Sequence, residues 1–168
     1  MTPPPAAPGP RHPAPPAGWR RTVARLPVHL FRMGLGPLFR RRLLLLVHTG
    51  RVTGEQRRTV LEVVAAERVD GRRAWTVASG FGARAHWYLN LRAAPQAVAQ
   101  VGRVYHAVSA RFLTPEEGGR SMTRYAERHP RTARRLCAYL GHPVDGGTEG
   151  YRRAGEVLPF VLLVEDHP

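Results

Sequence analysis

From residue 43 onward the chain consists of short apolar runs separated by glycine-containing turns, a pattern typical of β-strands. The first run, residues 43–48, is apolar almost throughout and predicts a buried central strand. Asp70 and Gly71 separate the next two runs and form a hairpin signal. The predicted strands cover residues 43–48, 58–66, 73–79, about 97–101, 104–112 and 160–165. Six strands joined mostly by short turns favour an antiparallel sheet closed into a barrel.

Helical patterns flank these strands. Residues 83–94 predict one helix after the third strand. Thr114, followed by proline and two acids, is a good helix start, because threonine caps the first turn and proline fits its first position. Two helices separated by the His-Pro pair at 129–130 and a short helix over 145–156 complete the set. The predicted class is therefore α+β, mainly antiparallel.

The first 42 residues have a different character. Residues 1–18 contain eight prolines and predict a disordered arm. Residues 19–42 predict a basic amphipathic helical segment, because apolar side chains recur on one helical face while arginines lie off it. Such a segment either lies on anionic lipid or covers the core as an ordinary surface helix. Residues 43–168 form the third unit, the barrel domain.

Composition narrows the possible chemistry. All 26 basic residues are arginine, against 12 acids, for a net charge of +14. The absence of lysine excludes a Schiff-base enzyme and a Walker P-loop. The single cysteine, Cys137, excludes an intrachain disulfide and a multi-cysteine zinc site, and it favours a cytoplasmic location.

Hydrolytic and metal-dependent sites have little support. None of the three serines stands in a G-x-S-x-G motif, and no two of the eight histidines are four residues apart. Acids are absent between Asp70 and Glu116, which disfavours a paired-carboxylate hydrolase. No metal ligand and no catalytic side chain is predicted.

Two loops are candidates for anion binding. The turn at residues 50–58 places Arg51, Arg57 and Arg58 near exposed amides, and guanidinium groups bind phosphate and carboxylate bidentately. The alternative is a solvated hairpin tip. The stretch GFGARA at residues 80–85 matches G-x-G-x-x-A before a helix, but the acid expected about 20 residues later in a dinucleotide fold is missing.

At these two loops the chain resembles a known family. The stretches LLVHTGRVTGEQR at 45–57, VASGFG at 77–82 and WYLNLRAAP at 87–95 resemble the deazaflavin (coenzyme F-420)-dependent nitroreductase and quinone-reductase family. That family lies in the flavin-reductase-like split β-barrel superfamily. The resemblance extends over about residues 23–165 and implies a split β-barrel with an N-terminal basic helix.

The resemblance also implies a cofactor and a reaction. Coenzyme F-420 is long and anionic, with a deazaflavin ring, a phosphate and a polyglutamate tail. Its reduced form would transfer a hydride to a quinone, nitroaromatic or activated-alkene acceptor, a step that needs orientation rather than a nucleophile. The cofactor-binding residues implied are Arg51, Thr53, Gly54, Arg57, Arg58, Val60, Ala78, Ser79, Gly80, Phe81, Trp87 and Asn90. The tyrosines expected to contact the substrate are Tyr125, Tyr139 and Tyr151.

Some features leave alternatives open. Val52 stands where relatives often carry a basic residue, and Gly80 stands where relatives can carry lysine, so FMN or haem remain alternatives to F-420. The high positive charge fits a nucleic-acid-binding protein, although no nucleic-acid-binding motif is present. A barrel that only binds the cofactor is a third option. The expected partners are a small-molecule acceptor and, through the basic segment, the inner membrane surface, with no specific nucleic acid.

Overall fold

Six antiparallel strands form the centre of the structure, a computed structural model that describes residues 43–139 and 141–167. The predicted proline-rich arm and basic helix, residues 1–18 and 19–42, lie outside the described residues. The strands are β1 (Leu43–Thr49), β2 (Gln56–Val69), β3 (Arg72–Ala78), β4 (Gln96–Val101), β5 (Val104–Phe112) and β6 (Phe160–Glu165). They close into a barrel in the order β1-β2-β3-β6-β5-β4. This confirms the predicted mainly antiparallel α+β barrel.

Strand β2 is longer than its apolar pattern predicts. Its polar ends continue the ladder, with Gln56 opposite Thr49 and Arg68 opposite Arg73. Backbone pairing does not require apolar side chains, so the exposed ends of a hairpin escape a prediction based on hydrophobicity. The β2–β3 hairpin closes as expected through Asp70 (φ 50°) and Gly71 (φ 79°), the left-handed pair that a tight two-residue turn requires.

The described residues form four helices beside the barrel: α1 (His86–Ala93), α2 (Pro115–Arg128), α3 (Pro130–Tyr139) and α4 (Thr148–Val157). Residues 83–94 do not form one continuous helix, since Ala85 adopts an extended conformation between a 3-10 turn (Gly82–Arg84) and α1. Helix α4 begins at Thr148 rather than at Asp145, because the Asp145 carboxylate accepts a hydrogen bond from the Gly147 amide and so forms a turn ahead of the helix.

Within residues 43–139 and 141–167, two apolar clusters stabilise the fold. One fills the barrel interior, and helix α1 contributes Trp87 and Leu91 to it. The other lies between β2 and helices α2, α3 and α4, and includes Tyr125 and Tyr151. Because Leu91 is fully buried in the interior cluster, α1 is held firmly against one end of the barrel.

Helices α2 and α4 pack at unusually short range through glycines. A methyl group placed on Gly155 would lie 2.5 Å from the carbonyl oxygen of Gly118 and 2.6 Å from Cβ of Met122. Gly118 and Gly155 stand where the two backbones come closest, and neither position has room for a side chain.

Candidate functional site

A cavity of about 600 Å³ opens between the β1–β2 turn, the first half of β2 and helix α1. Eight of the residues implied by the family resemblance line it: Arg51, Thr53, Arg57, Arg58, Val60, Phe81, Trp87 and Asn90. They come from segments up to 39 residues apart, and the packing of α1 against the barrel end brings them together. Five further lining residues were not expected: His48, Gly50, Val52, Thr59 and His86.

The β1–β2 turn is closed by its own backbone. The Gly50 amide donates to the Glu55 carbonyl at 2.8 Å, and the Gly54 amide donates to the Gly50 carbonyl at 2.8 Å. Gly54 has the positive φ (69°) that the turn sequence predicts. Gly54 does not itself line the cavity. Its role in this structure is to let the chain reverse and carry Arg51 and Arg57 to the same side.

The mouth of the cavity is strongly cationic. The guanidinium of Arg57 donates to the Glu55 carboxylate at 2.7 Å and to Oγ1 of Thr53 at 3.3 Å. Arg58 is exposed and has no carboxylate partner within the described ranges. Three guanidinium groups therefore line the cavity, of which that of Arg57 is paired with the Glu55 carboxylate, and the excess positive charge favours an anionic ligand.

Arg51 is held by Asn90. The Arg51 amide and its Nη1 donate to Oδ1 of Asn90 at 3.1 Å and 3.0 Å. Asn90 is only 5% exposed, so these bonds are partly shielded from water. Asn90 thereby ties helix α1 to the β1–β2 turn.

Behind Asn90 lies His48, a buried side chain that sequence reasoning missed. Nδ2 of Asn90 lies 3.1 Å from Nδ1 of His48, and Nε2 of His48 lies 3.2 Å from Oγ1 of Thr59. Burial and, to a smaller extent, the charge of Arg57 lower the pKa of His48 from the usual 6.5 to about 4. The imidazole is therefore neutral at pH 7. The signal in the sequence was its period-two spacing with Leu44 and Leu46, which face the barrel interior.

The apolar wall of the cavity consists of Trp87, Phe81 and Val60. Trp87 is 6% exposed and packs edge-on against Tyr88, with ring centroids 5.9 Å apart. Phe81 packs against the interior cluster from the loop before α1. Val52, exposed to 85% at the turn, adds an apolar group at the rim. A flat apolar ligand has a preformed surface here.

The loop before α1 that contains Ala78, Ser79 and Gly80 does not border the cavity in the way that the expected cofactor contacts require. Ser79 is fully buried; its hydroxyl donates to the Gly82 carbonyl at 2.7 Å and its amide to the Pro159 carbonyl at 2.8 Å. Ala78 packs against the helical cluster. Neither these two residues nor Gly80 lines the cavity, so their contact with a cofactor stays a prediction.

The predicted substrate tyrosines lie elsewhere. The Tyr125 hydroxyl donates to the Glu62 carboxylate at 2.7 Å beneath helix α2. Tyr151 borders a second cavity of about 280 Å³ between the helices. The side chain of Tyr139 lies outside the described part of the structure. The structure thus does not bring Tyr125 or Tyr151 to the cationic cavity.

Residues 43–139 and 141–167 contain no candidate metal centre and no candidate membrane-spanning helix. No group of three or more His, Cys, Asp or Glu side chains is arranged to hold a metal ion there. In the same part of the chain, no helix has the length and apolar character needed to span a bilayer.

Comparison with known families shows which family the chain belongs to. The family model described as F-420H(2)-dependent quinone reductase matches residues 21–137, a span that contains the arginine turn, β2 and helix α1. The chain belongs to this family. It is accordingly an F-420-dependent oxidoreductase, and coenzyme F-420 is its cofactor. The family resemblance read from the sequence motifs is confirmed.

Several solved structures are similar to this F-420-dependent reductase. An F-420-H2 dependent reductase (FDR-A) is 25% identical, with 73% of this chain and 94% of that chain covered and a TM-score of 0.47. A conserved hypothetical protein from Mycobacterium tuberculosis is 16% identical, with 82% and 80% covered and a TM-score of 0.49. A pyridoxamine 5'-phosphate oxidase-related, FMN binding protein from Nostoc punctiforme is 14% identical, with 91% and 82% covered and a TM-score of 0.46. A comparison with curated proteins gives no match.

The residues of the cavity fit this cofactor. Arg51, Arg57 and Arg58 are suited to a phosphate and carboxylates, and Trp87 and Phe81 to a flat ring. A volume of about 600 Å³ lies within the usual range for small-molecule sites.

Proposed function

We propose that this reductase transfers a hydride from reduced F-420, held in the cationic cavity, to a quinone, nitroaromatic or activated-alkene acceptor. The observation that carries the proposal is the meeting of three guanidinium groups and an apolar aromatic wall in one cavity. The flat wall supports these acceptor classes, because it suits a planar electrophile stacked on the cofactor ring.

The three arginines differ in how freely each can bind an anionic group of the coenzyme. Arg51 is fixed in place by Asn90, so its guanidinium is preorganised and loses little freedom when it meets an anion. Arg57 is paired with the exposed carboxylate of Glu55 and has to share its donors between that group and a ligand. Arg58 is exposed and free of such a pair in the described structure, so it is available for the carboxylates of the tail.

The wall residues orient the reacting ring. Trp87 is anchored on α1 and Phe81 on the loop before it, which leaves both with limited freedom to move. When bound, reduced F-420 supplies the hydride from C5 of its deazaflavin ring. A rigid apolar surface holds donor and acceptor planes close together, and this proximity is the main contribution the protein makes to such a transfer.

The proton that accompanies the hydride does not come from His48. Both of its ring nitrogens are engaged, with Asn90 and Thr59, and its low pKa leaves it neutral at pH 7. A quinone that takes up one hydride and one proton leaves as the hydroquinone, and water at the open mouth can supply that proton.

Titration of the purified protein with F-420 tests the binding step. Quenching of coenzyme fluorescence and a rise in Tm at saturating coenzyme are expected, with FMN titrated in parallel as the control cofactor. Failure of F-420 to bind would contradict the proposal.

Steady-state turnover tests the redox step. Reduced F-420 should be oxidised by a soluble naphthoquinone, with one coenzyme consumed per hydroquinone formed. Binding without turnover of a quinone, a nitroaromatic or an activated alkene would instead support a barrel that only stores the cofactor.

A further inference from the structure

His48 and Thr59 are neutral polar side chains that line the cationic cavity beside its arginines. Thr59 stands opposite Leu46 in the β1–β2 ladder, and His48 stands opposite Arg57. The two side chains share the face of the hairpin that carries Leu44, Leu46 and Leu61 into the barrel. Both border the cavity.

The orientation of the Asn90 amide determines which group donates in the hydrogen bond between Asn90 and His48. Its oxygen accepts from the Arg51 amide and from the Arg51 guanidinium, so its nitrogen faces His48. An amide NH2 group can only donate. Nδ1 of His48 is therefore the acceptor of this bond and carries no hydrogen.

The donor in the hydrogen bond between His48 and Thr59 follows from this assignment. A neutral imidazole with a bare Nδ1 carries its hydrogen on Nε2. Nε2 lies 3.2 Å from Oγ1 of Thr59, so histidine donates and threonine accepts. The hydroxyl hydrogen of Thr59 then points away from His48, and it has no acceptor among the described residues.

We propose that Thr59 is a specificity-determining residue of the cofactor cavity, donating its hydroxyl hydrogen to an oxygen acceptor of the bound ligand. The inference rests on the proposed function and deepens it. Such an oxygen is present both on coenzyme F-420, as a ring carbonyl or phosphate, and on the carbonyl of a quinone. Arg51, Asn90 and His48 act as positioning residues, because they force the threonine to donate rather than accept.

Paired substitutions at one position test the donor. Thr59→Val keeps the shape and removes the hydroxyl, whereas Thr59→Ser keeps the hydroxyl. We expect Thr59→Val to weaken the affected binding step by about 3- to 10-fold, the range for one lost hydrogen bond, and Thr59→Ser to stay close to wild type. Thr132→Val on helix α3, away from the cavity, is the matched control.

Two measurements separate the possible sources of the oxygen. The Kd of F-420, measured by fluorescence without acceptor, reports a contact with the coenzyme. The KM of the naphthoquinone at saturating reduced coenzyme reports a contact with the acceptor, with kcat unchanged. The proposal is supported if Thr59→Val raises the Kd of F-420 or the KM of the naphthoquinone and the other two variants do not. If Thr59→Val changes neither the Kd nor the KM, the proposal is overturned. The proposed function would still be upheld in that case, provided that the wild-type protein binds the coenzyme.

The tautomer of His48 provides a readout that needs no coenzyme. Ring 15N chemical shifts distinguish a protonated Nε2 from a protonated Nδ1, and His48→Gln identifies the signals among the eight histidines. A protonated Nε2 with a bare Nδ1 is expected, and a protonated Nδ1 at pH 7 would overturn the deduced direction. Absence of F-420 binding by the wild-type protein would overturn both proposals together.

Discussion

Arg51 and Asn90 are joined by two hydrogen bonds to one oxygen: the arginine amide and its guanidinium both donate to Oδ1 of Asn90. The pair links a turn of the barrel to a helix 39 residues later in the chain. The position of the guanidinium at the mouth is therefore set by tertiary packing and not by the turn alone.

Removing this link should weaken both stability and binding. Asn90→Ala leaves the Arg51 donors and Nδ1 of buried His48 without their partner, so a loss of about 1–3 kcal/mol in the free energy of unfolding is expected, together with weaker F-420 binding. Urea denaturation and coenzyme titration measure the two effects. A double-mutant cycle with Arg51→Ala isolates the guanidinium contact, and strictly additive effects would show that this contact is not coupled to Asn90.

Arg57→Ala should reduce the affinity for F-420. A charge-assisted hydrogen bond contributes about 1.5–3 kcal/mol, so Kd should rise by roughly 10- to 150-fold. Arg103→Ala is the matched control, because Arg103 is exposed in the β4–β5 turn, which the β1–β4 register places at the opposite end of the barrel. Equal effects of the two substitutions would indicate a general loss of charge rather than a ligand contact at Arg57.

Stability should fall at mildly acidic pH because of His48. Its pKa is about 4 in the folded protein and 6.5 in the unfolded chain, so the unfolded state binds more protons between these values. Stability is therefore full above pH 6.5 and declines as the pH falls toward 4, by an amount on the order of 3 kcal/mol. Chemical denaturation of wild type and His48→Gln from pH 7.5 to 4 should give a steeper decline for wild type. Parallel curves would show that His48 is not the group responsible.

The glycine contact between α2 and α4 predicts opposite effects for two alanine substitutions in one helix. Gly155→Ala should destabilise the protein by about 1–3 kcal/mol, because the new methyl group would lie 2.5 Å from the Gly118 carbonyl oxygen. Gly150→Ala has its nearest contacts at 3.4 Å, so alanine's better helix propensity should leave stability unchanged or raised by up to about 1 kcal/mol. Thermal and urea denaturation of the two variants provide the comparison, and a neutral Gly155→Ala would mean that the helices can separate at little cost.

The barrel strands were predictable because each strand and turn is specified by residues adjacent in the sequence. The apolar runs and the Asp70–Gly71 turn each specify a strand or a reversal without reference to the rest of the chain. The arginine turn was likewise visible as a cluster within nine residues. The break at Ala85 was not, because alanine favours a helix and the extended conformation there depends on how the loop meets the barrel.

The interior of the site escaped prediction because it depends on register and docking. Thr59 meets His48 only through the pairing of β1 with β2, and His48 meets Asn90 only after α1 has packed on the barrel end. No spacing rule joins residues that lie 42 positions apart. The functional partners of His48 therefore became visible only in three dimensions.

Leu91 sits next to Asn90 in sequence and is completely enclosed by the barrel. The geometry of the cavity mouth therefore depends on how apolar side chains pack in the barrel interior beneath it. A larger or smaller side chain packed against Leu91 in the barrel interior would tilt α1. The Asn90 amide would then change its orientation, and the Arg51 guanidinium that it holds would move with it. Ligand preference in such a protein can consequently drift through substitutions that no ligand ever touches.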